Sequence, residues 1–268
     1  MQRFLPLLVI MLFVIALPAL AKHSETGFLN RLVVVEGVSY HYQVFVPADW
    51  TPDKKWPIVL FLHGAGERGD DGLAQTQVGI GAALRLHSDR FPAIVVMPQC
   101  RKDAWWTEPA MEAQALAALK QSSKEFHADP DRVYLTGLSM GGYGSWAFAA
   151  KSPGKWAAAV VICGGIVVPK RPGLPETPVT AGVDPYDDAA KKIGSAMPIW
   201  VFHGGADPTV PVEESRKMVA ALKAIGSEVK YTEYEGVPHN SWDKAYAEPD
   251  LPAWLFAQKL SARKDATK

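Results

Sequence analysis

Little in this sequence calls for a metal, a nucleic acid or a membrane. There are only two cysteines, Cys100 and Cys163, and the seven histidines show no metal-ligand spacing, so no structural zinc site can be built from them. Lys plus Arg equals Asp plus Glu at 28 each, for a formal net charge of zero. That balance offers no electrostatic reason to bind nucleic acid or an anionic membrane surface. The chain has no short-period repeat and no low-complexity tract. After Ala21 it has no apolar run long enough to span a bilayer.

The N-terminus is the exception. Arg3 precedes a nearly continuous apolar run, Phe4 to Leu20, and Ala19-Leu20-Ala21 supplies an A-x-A cleavage signal. This is the pattern of a secretory signal peptide, residues 1–21, cut before Lys22; the break at Pro18 argues against an uncleaved anchor. The expected mature protein is a single domain, residues 22–268, secreted or periplasmic and without a stable membrane anchor. In such a compartment Cys100 and Cys163 either form a bridge or serve as two small buried hydrophobes.

The rest of the chain alternates strand and helix patterns. Arg31 to Glu36 and Tyr40 to Pro47 read as an antiparallel pair split by Gly37. Buried strands are expected at Trp56 to Leu62, Ala93 to Met97, from Val133, Ala157 to Cys163, Ile199 to His203 and Val229 to Tyr234. Helical spacing appears at Gly79 to Leu86, Met111 to Phe126, Tyr143 to Lys151, Val212 to Ile225 and Leu251 to Leu260. The predicted fold class is α/β, with a mostly parallel twisted sheet covered by helices on both faces and an antiparallel pair at its N-terminal edge. Gly164 to Ser195, rich in Pro and Gly, reads as a long loop, too short for a separate cap domain.

One stretch organises this alternation. In Gly137-Leu138-Ser139-Met140-Gly141 a strand turns sharply into a helix, the context that gives G-x-S-x-G its meaning. A serine hydroxyl barely ionises at neutral pH, so it needs a base, and the base needs an orienting carboxylate. Downstream, Asp207 follows the Ile199–His203 strand and His239 follows the last strand, both past strand C-termini, where ligands bind open α/β sheets. Ser139, Asp207 and His239 are therefore the expected catalytic set. His203 is a weaker candidate base, Asp187 and Asp188 are weaker candidate acids, and Asp243 is a possible salt-bridge partner of His239. Two backbone amides should form the oxyanion hole: Met140, after the nucleophile, and Ala65, in the His63-Gly64-Ala65-Gly66 loop.

These segments resemble an α/β-hydrolase-fold serine esterase. The closer resemblance is to exported carboxylesterases of the predicted-peptidase or phospholipase/carboxylesterase-like group, relatives of feruloyl esterases and polyhydroxybutyrate depolymerases. The carriers are Leu62-His-Gly-Ala-Gly-Glu-Arg-Gly69, Pro98-Gln-Cys100 with Trp105, Tyr134-Leu-Thr-Gly-Leu-Ser-Met-Gly-Gly-Tyr143, Ile162-Cys-Gly-Gly165, Trp200-Val-Phe-His-Gly-Gly-Ala-Asp207 and His239-Asn-Ser-Trp242. The resemblance implies the same triad, an ester substrate that is small or polymer-linked, and no cofactor. The stretch Val167 to Pro185 looks longer than is usual for the group. Trp105, Trp106 and Trp242 fall beside the catalytic edge and either line an acyl or aryl pocket or anchor loops; the pocket role is expected for Trp105 or Trp106 and anchoring for Trp242. Glu67 and Arg68 are expected to form a loop ion pair. A serine peptidase is the alternative enzyme, disfavoured because no propeller or large cap is present to select peptides. A non-catalytic binding protein is disfavoured by the complete Ser–Asp–His set.

Overall fold

Alternating side chains on β-branched and aromatic strands give the sheet two apolar faces, and both are buried. The computed structural model describes residues 25–168, 179–180 and 182–263; the expected signal peptide, 1–21, lies outside them, as does most of the Pro-rich stretch. The strands are β1 (Gly27–Val35), β2 (Val38–Val46), β3 (Trp56–Leu62), β4 (Ile94–Pro98), β5 (Ala128–Leu138), β6 (Ala158–Ile162), β7 (Ile199–Gly204) and β8 (Lys230–Tyr234). They form one eight-stranded sheet in the order β1-β2-β4-β3-β5-β6-β7-β8. β1–β2 and β2–β4 are antiparallel, and every pair from β4 to β8 is parallel.

β3 shows how the sequence makes the layers. All of its residues are buried, yet Ile58, Leu60 and Leu62 join one core and Val59 and Phe61 the other. The first core is closed by α2 (Pro109–Glu125), α3 (Met140–Lys151), α4 (Pro185–Ile193) and α5 (Glu213–Ala224). The second is closed by α1 (Ile80–His87), α6 (Trp242–Ala247) and α7 (Leu251–Phe256). Among the described residues no helix is long and apolar enough to cross a membrane.

Two expectations need correction, and the alternative left open for the cysteines is decided. The Gly164 to Ser195 segment contains a helix, α4: the Asp184 side chain caps it by accepting from the amides of Tyr186 and Asp187, and Ala189, Ala190 and Ile193 form its buried side. The short helix carries too few apolar residues to stand out among the prolines and glycines before it. The expected helix from Leu251 to Leu260 stops at Phe256; the Gln258 carbonyl instead accepts from the Tyr134 hydroxyl. Cys100 and Cys163 are free, buried thiols that pack on opposite faces of the sheet, so no bridge joins them.

Candidate active site

Six parallel strands, β3 to β8, end at one edge, and the loops leaving β3, β5, β7 and β8 carry the expected site residues. Ser139 sits between β5 and α3 with φ 52° and ψ −120°, a left-handed conformation that L-residues adopt only under constraint. The constraint comes from packing. A methyl at Gly141 would lie 1.9 Å from the Leu62 carbonyl oxygen, and one at Gly137 would lie 2.3 Å from the Gly141 carbonyl oxygen. The helix start is thus pressed directly onto the end of β3. Gly141→Ala should therefore destabilise the fold by at least about 3 kcal/mol, because the obstacle is backbone and not a movable side chain; thermal unfolding of the purified variant measures this.

The loops bring the three expected residues into line. His239 Nε2 is 2.8 Å from Ser139 Oγ, and His239 Nδ1 is 2.6 Å from Asp207 Oδ2. Since the carboxylate can only accept, Nδ1 carries the proton and Nε2 is left to accept from the serine hydroxyl. Asp207 Oδ1 accepts from the amides of Thr209 and Val210 at 2.7 and 2.9 Å. Burial works against the Asp207 charge, but the bonds from His203, His239, Val210 and Thr209 outweigh it and hold the carboxyl well below the usual range. The side chain is fully buried and the His239 ring is one-fifth exposed, so the relay opens to solvent at the serine end.

Met140 is the first residue of α3, and Ala65 opens a 3-10 turn, Ala65–Glu67, after β3. Amides at such positions have no acceptor within their own helix and are free to face an anion. The turn passes close to the serine: a methyl at Gly64 would sit 3.6 Å from Ser139 Cβ.

That loop is held by side chains whose roles the sequence did not disclose. The Trp106 indole donates to the His63 carbonyl at 2.9 Å, and Arg68 Nε donates to the Ala65 carbonyl at 3.0 Å. Gln99 Nε2 donates to the Glu67 carbonyl at 3.0 Å. The His63 ring accepts from the Cys100 amide through Nε2 (2.9 Å), so its proton is on Nδ1, which donates to the Gly64 carbonyl at 2.6 Å. Arg68 spends its guanidinium on the Ala65 and Ala104 carbonyls, so the expected Glu67–Arg68 ion pair is not formed.

His63 is fully buried, and burial pushes its imidazolium down to about 4. An unfolded histidine titrates near about 6.5. Below that pH the unfolded chain takes up a proton that the folded chain refuses until about pH 4. Stability is thus complete above about pH 6.5 and falls as the pH drops toward 4, by about 3 kcal/mol from this residue. His63→Gln should flatten the unfolding temperature across that window relative to the parent.

Two tryptophan assignments change. Trp106 is wholly inside the core, bound to His63 as described and edge-on to its ring at 5.0 Å, so it supports the loop and does not line a pocket. Trp105 is also buried in the core and packs edge-on against Tyr143 at 5.9 Å. Two adjacent aromatics at a catalytic edge look alike in sequence, and only packing reveals that both rings point inward. Trp242 opens α6 and meets the His239 ring edge-to-face at 5.5 Å, a position suited to anchoring the His239 loop.

The alternative acids and bases lie elsewhere. Asp187 and Asp188 pair with Lys191 and Lys192 on the surface of α4. Asp243 is exposed at the start of α6, whereas His239 Nδ1 is taken by Asp207. His203 is buried against Asp207, with its own partners. Cys163 Sγ lies within 4.8 Å of the ligating atoms of Asp207 and His239, the one such cluster among the described residues. Burial raises its thiol pKa far above neutrality, so it is a protonated neighbour and a poor metal ligand.

A sheet of this order, with a strained serine on the turn after its fifth strand, defines a class: hydrolases of the α/β fold. Within that class the chain belongs to the dienelactone hydrolase family, whose model matches residues 90–262. Among curated relatives, poly(3-hydroxyalkanoate) depolymerase C of Paucimonas lemoignei is 26% identical over 68% of this chain and 45% of its own length. Probable feruloyl esterase C of Aspergillus terreus is 24% identical over 66% of this chain and 58% of its own. The chain thus matches only about half of each of these two relatives. A thermostable esterase of known structure aligns with a TM-score of 0.73 and 36% identity, over 87% of this chain and 63% of that one.

Proposed function

We propose that the protein is an exported serine hydrolase that cleaves carboxylic esters through an acyl-enzyme. One observation carries the reading: the continuous relay Ser139–His239–Asp207, at 2.8 and 2.6 Å, with its serine on a left-handed turn at a helix N-terminus. Ser139 Oγ attacks the ester carbonyl carbon as its proton passes to His239 Nε2. The amides of Met140 and Ala65 hold the oxyanion. His239 returns the proton to the departing alcohol, leaving an acyl group on Ser139. Water then attacks, giving its proton to His239, and the acid leaves as the serine is restored. Asp207 stays ionised throughout and holds the His239 tautomer. The named depolymerase, feruloyl esterase and thermostable esterase support esters as the substrate class. Export is inferred from the Met1–Ala21 leader.

The test is steady-state hydrolysis of p-nitrophenyl acetate, methyl ferulate and acetylated xylan, with peptide anilides in parallel. Turnover of one or more esters well above peptide turnover is expected. Peptide cleavage exceeding ester cleavage would replace the esterase reading with a peptidase.

A further inference from the structure

The acid of the relay has a second histidine on it. β7 ends at His203-Gly204, and the chain returns so that His203 Nε2 lies 3.2 Å from Asp207 Oδ2, the oxygen that also receives His239. Both side chains are fully buried. Nε2 also lies 3.1 Å from the Val210 carbonyl, and Nδ1 lies 2.7 Å from Ser215 Oγ on α5. Two acceptors face Nε2, so Nε2 carries the ring proton, shared between them. In the neutral ring Nδ1 then accepts from the Ser215 hydroxyl. The protons along Ser215, His203 and Asp207 all point toward the carboxylate, and His203 has no contact with Ser139.

We propose that His203 is a positioning residue that acts through Asp207, fixing its Oδ2 toward His239 and keeping the negative charge there while His239 becomes an imidazolium. The inference rests on reading Asp207 as the acid of a serine triad. Asp207 Oδ1 is fixed by the Thr209 and Val210 amides, but without His203 its Oδ2 would have His239 as sole donor. An under-satisfied buried carboxylate takes up a proton more readily, and with one donor fewer its orientation is less fixed. The surroundings agree with a fixed arrangement. A methyl at Gly204 would lie 2.3 Å from the carbonyl oxygens of Val237 and Pro238, so the Asp207 loop is pressed onto the His239 loop. The Ala206 amide also donates to the Val237 carbonyl at 3.0 Å. The other titratable groups facing this cluster are Cys163 at the end of β6, Tyr143 on α3 and Glu233 on β8. Burial keeps Cys163 and Tyr143 protonated near neutral pH, and Glu233 is held ionised by Arg216. None of the three should therefore change charge near neutral pH, which leaves the His203–Asp207–His239 cluster to set the acid limb.

The experiment compares the parent, His203→Leu, His203→Gln, Ser215→Ala and Ser139→Ala for p-nitrophenyl acetate hydrolysis across pH, with proton NMR of the low-field His239 Nδ1–H signal. In His203→Leu, kcat should fall about tenfold to a hundredfold. KM should stay within about twofold, and the acid limb of kcat/KM should move up by about one pH unit. The limb rises whether the added proton sits on Asp207 or on His239, since the lost N–H donor favoured the cluster without that proton. The low-field signal should shift or broaden. His203→Gln, which restores an N–H near the same point, should recover most of the rate and return the limb. A folded His203→Leu with parental kcat and an unmoved limb overturns the proposal. So does an equal loss in the Leu and Gln variants with the limb unmoved, which is what a purely structural role produces. If His203→Leu does not fold, Ser215→Ala decides: a several-fold lower kcat with a raised limb supports the proposal, and a parental profile overturns it. Ser139→Ala separates the two levels. Turnover surviving in it removes the triad reading and this inference with it, whereas a dead Ser139→Ala beside a fully active His203→Leu removes only the inference.

Discussion

Ser139→Ala lowers kcat for p-nitrophenyl acetate by about a millionfold, the scale of loss when a triad serine is removed from other serine hydrolases. The thermal unfolding midpoint stays within about 2 °C of the parent. The two halves of this expectation have different sources. The hydroxyl makes one side-chain contact, to His239 at 2.8 Å, and its strained φ of 52° is as accessible to alanine as to serine. The fold thus loses one partly exposed hydrogen bond, and the chemistry loses its nucleophile. The nearby thiol of Cys163 cannot take over, because it is fully buried and its pKa is raised far above neutrality. Residual hydrolysis reflects the oxyanion hole and binding alone. Turnover within tenfold of the parent would mean that another group attacks the ester.

Asp207→Asn lowers kcat by about ten-thousandfold. Asparagine keeps the shape and can still accept from the Thr209 and Val210 amides through its oxygen. The amide nitrogen then faces His239, where the carboxylate Oδ2 accepted a proton at 2.6 Å. A donor there stabilises the tautomer with its proton on Nε2, which cannot accept from Ser139. The charge that offsets the imidazolium is lost as well. Asp187→Asn and Asp188→Asn on α4 should change kcat by less than about twofold, since each weakens an ion pair with Lys191 or Lys192 on the surface of that helix and touches none of the relay. Steady-state kinetics on the three variants checks both expectations. An inactive Asp188→Asn beside an active Asp207→Asn would move the acid to the other loop.

The contrast between those aspartates shows what was legible beforehand. Ser139, Asp207 and His239 stand out because each follows a β-rich run and falls in a loop, and parallel strands bring such loops to one edge. β3, β5 and β7 were legible for the same reason: each carries a short continuous run of β-branched and aromatic residues, which is a local signal. Properties that depend on which way a ring points were not local. Trp105 and Trp106 occupy the right loop, but both rings turn into the core, one against Tyr143 and the other under His63. In the sequence His203 reads only as a weaker candidate base. Its contact with Asp207 arises because the loop after β7 folds back within four residues, and its partner Ser215 comes from the following helix. The separation of Cys100 and Cys163 across the sheet depends likewise on register, which spacing does not disclose. α4 was hidden because its few apolar residues follow a Pro- and Gly-rich stretch that masks helical spacing.

The central claim is that Ser139 is the nucleophile, and covalent capture tests it most directly. The parent protein is treated with a fluorophosphonate, digested with trypsin and examined by mass spectrometry. Cleavage after Arg132 and Lys151 releases the peptide that carries Ser139. The account predicts one adduct per chain, on Ser139, formed in step with loss of esterase activity and slowed strongly in Asp207→Asn. Complete inactivation with the adduct on another residue, or full ester turnover by protein that the reagent does not label, would contradict it.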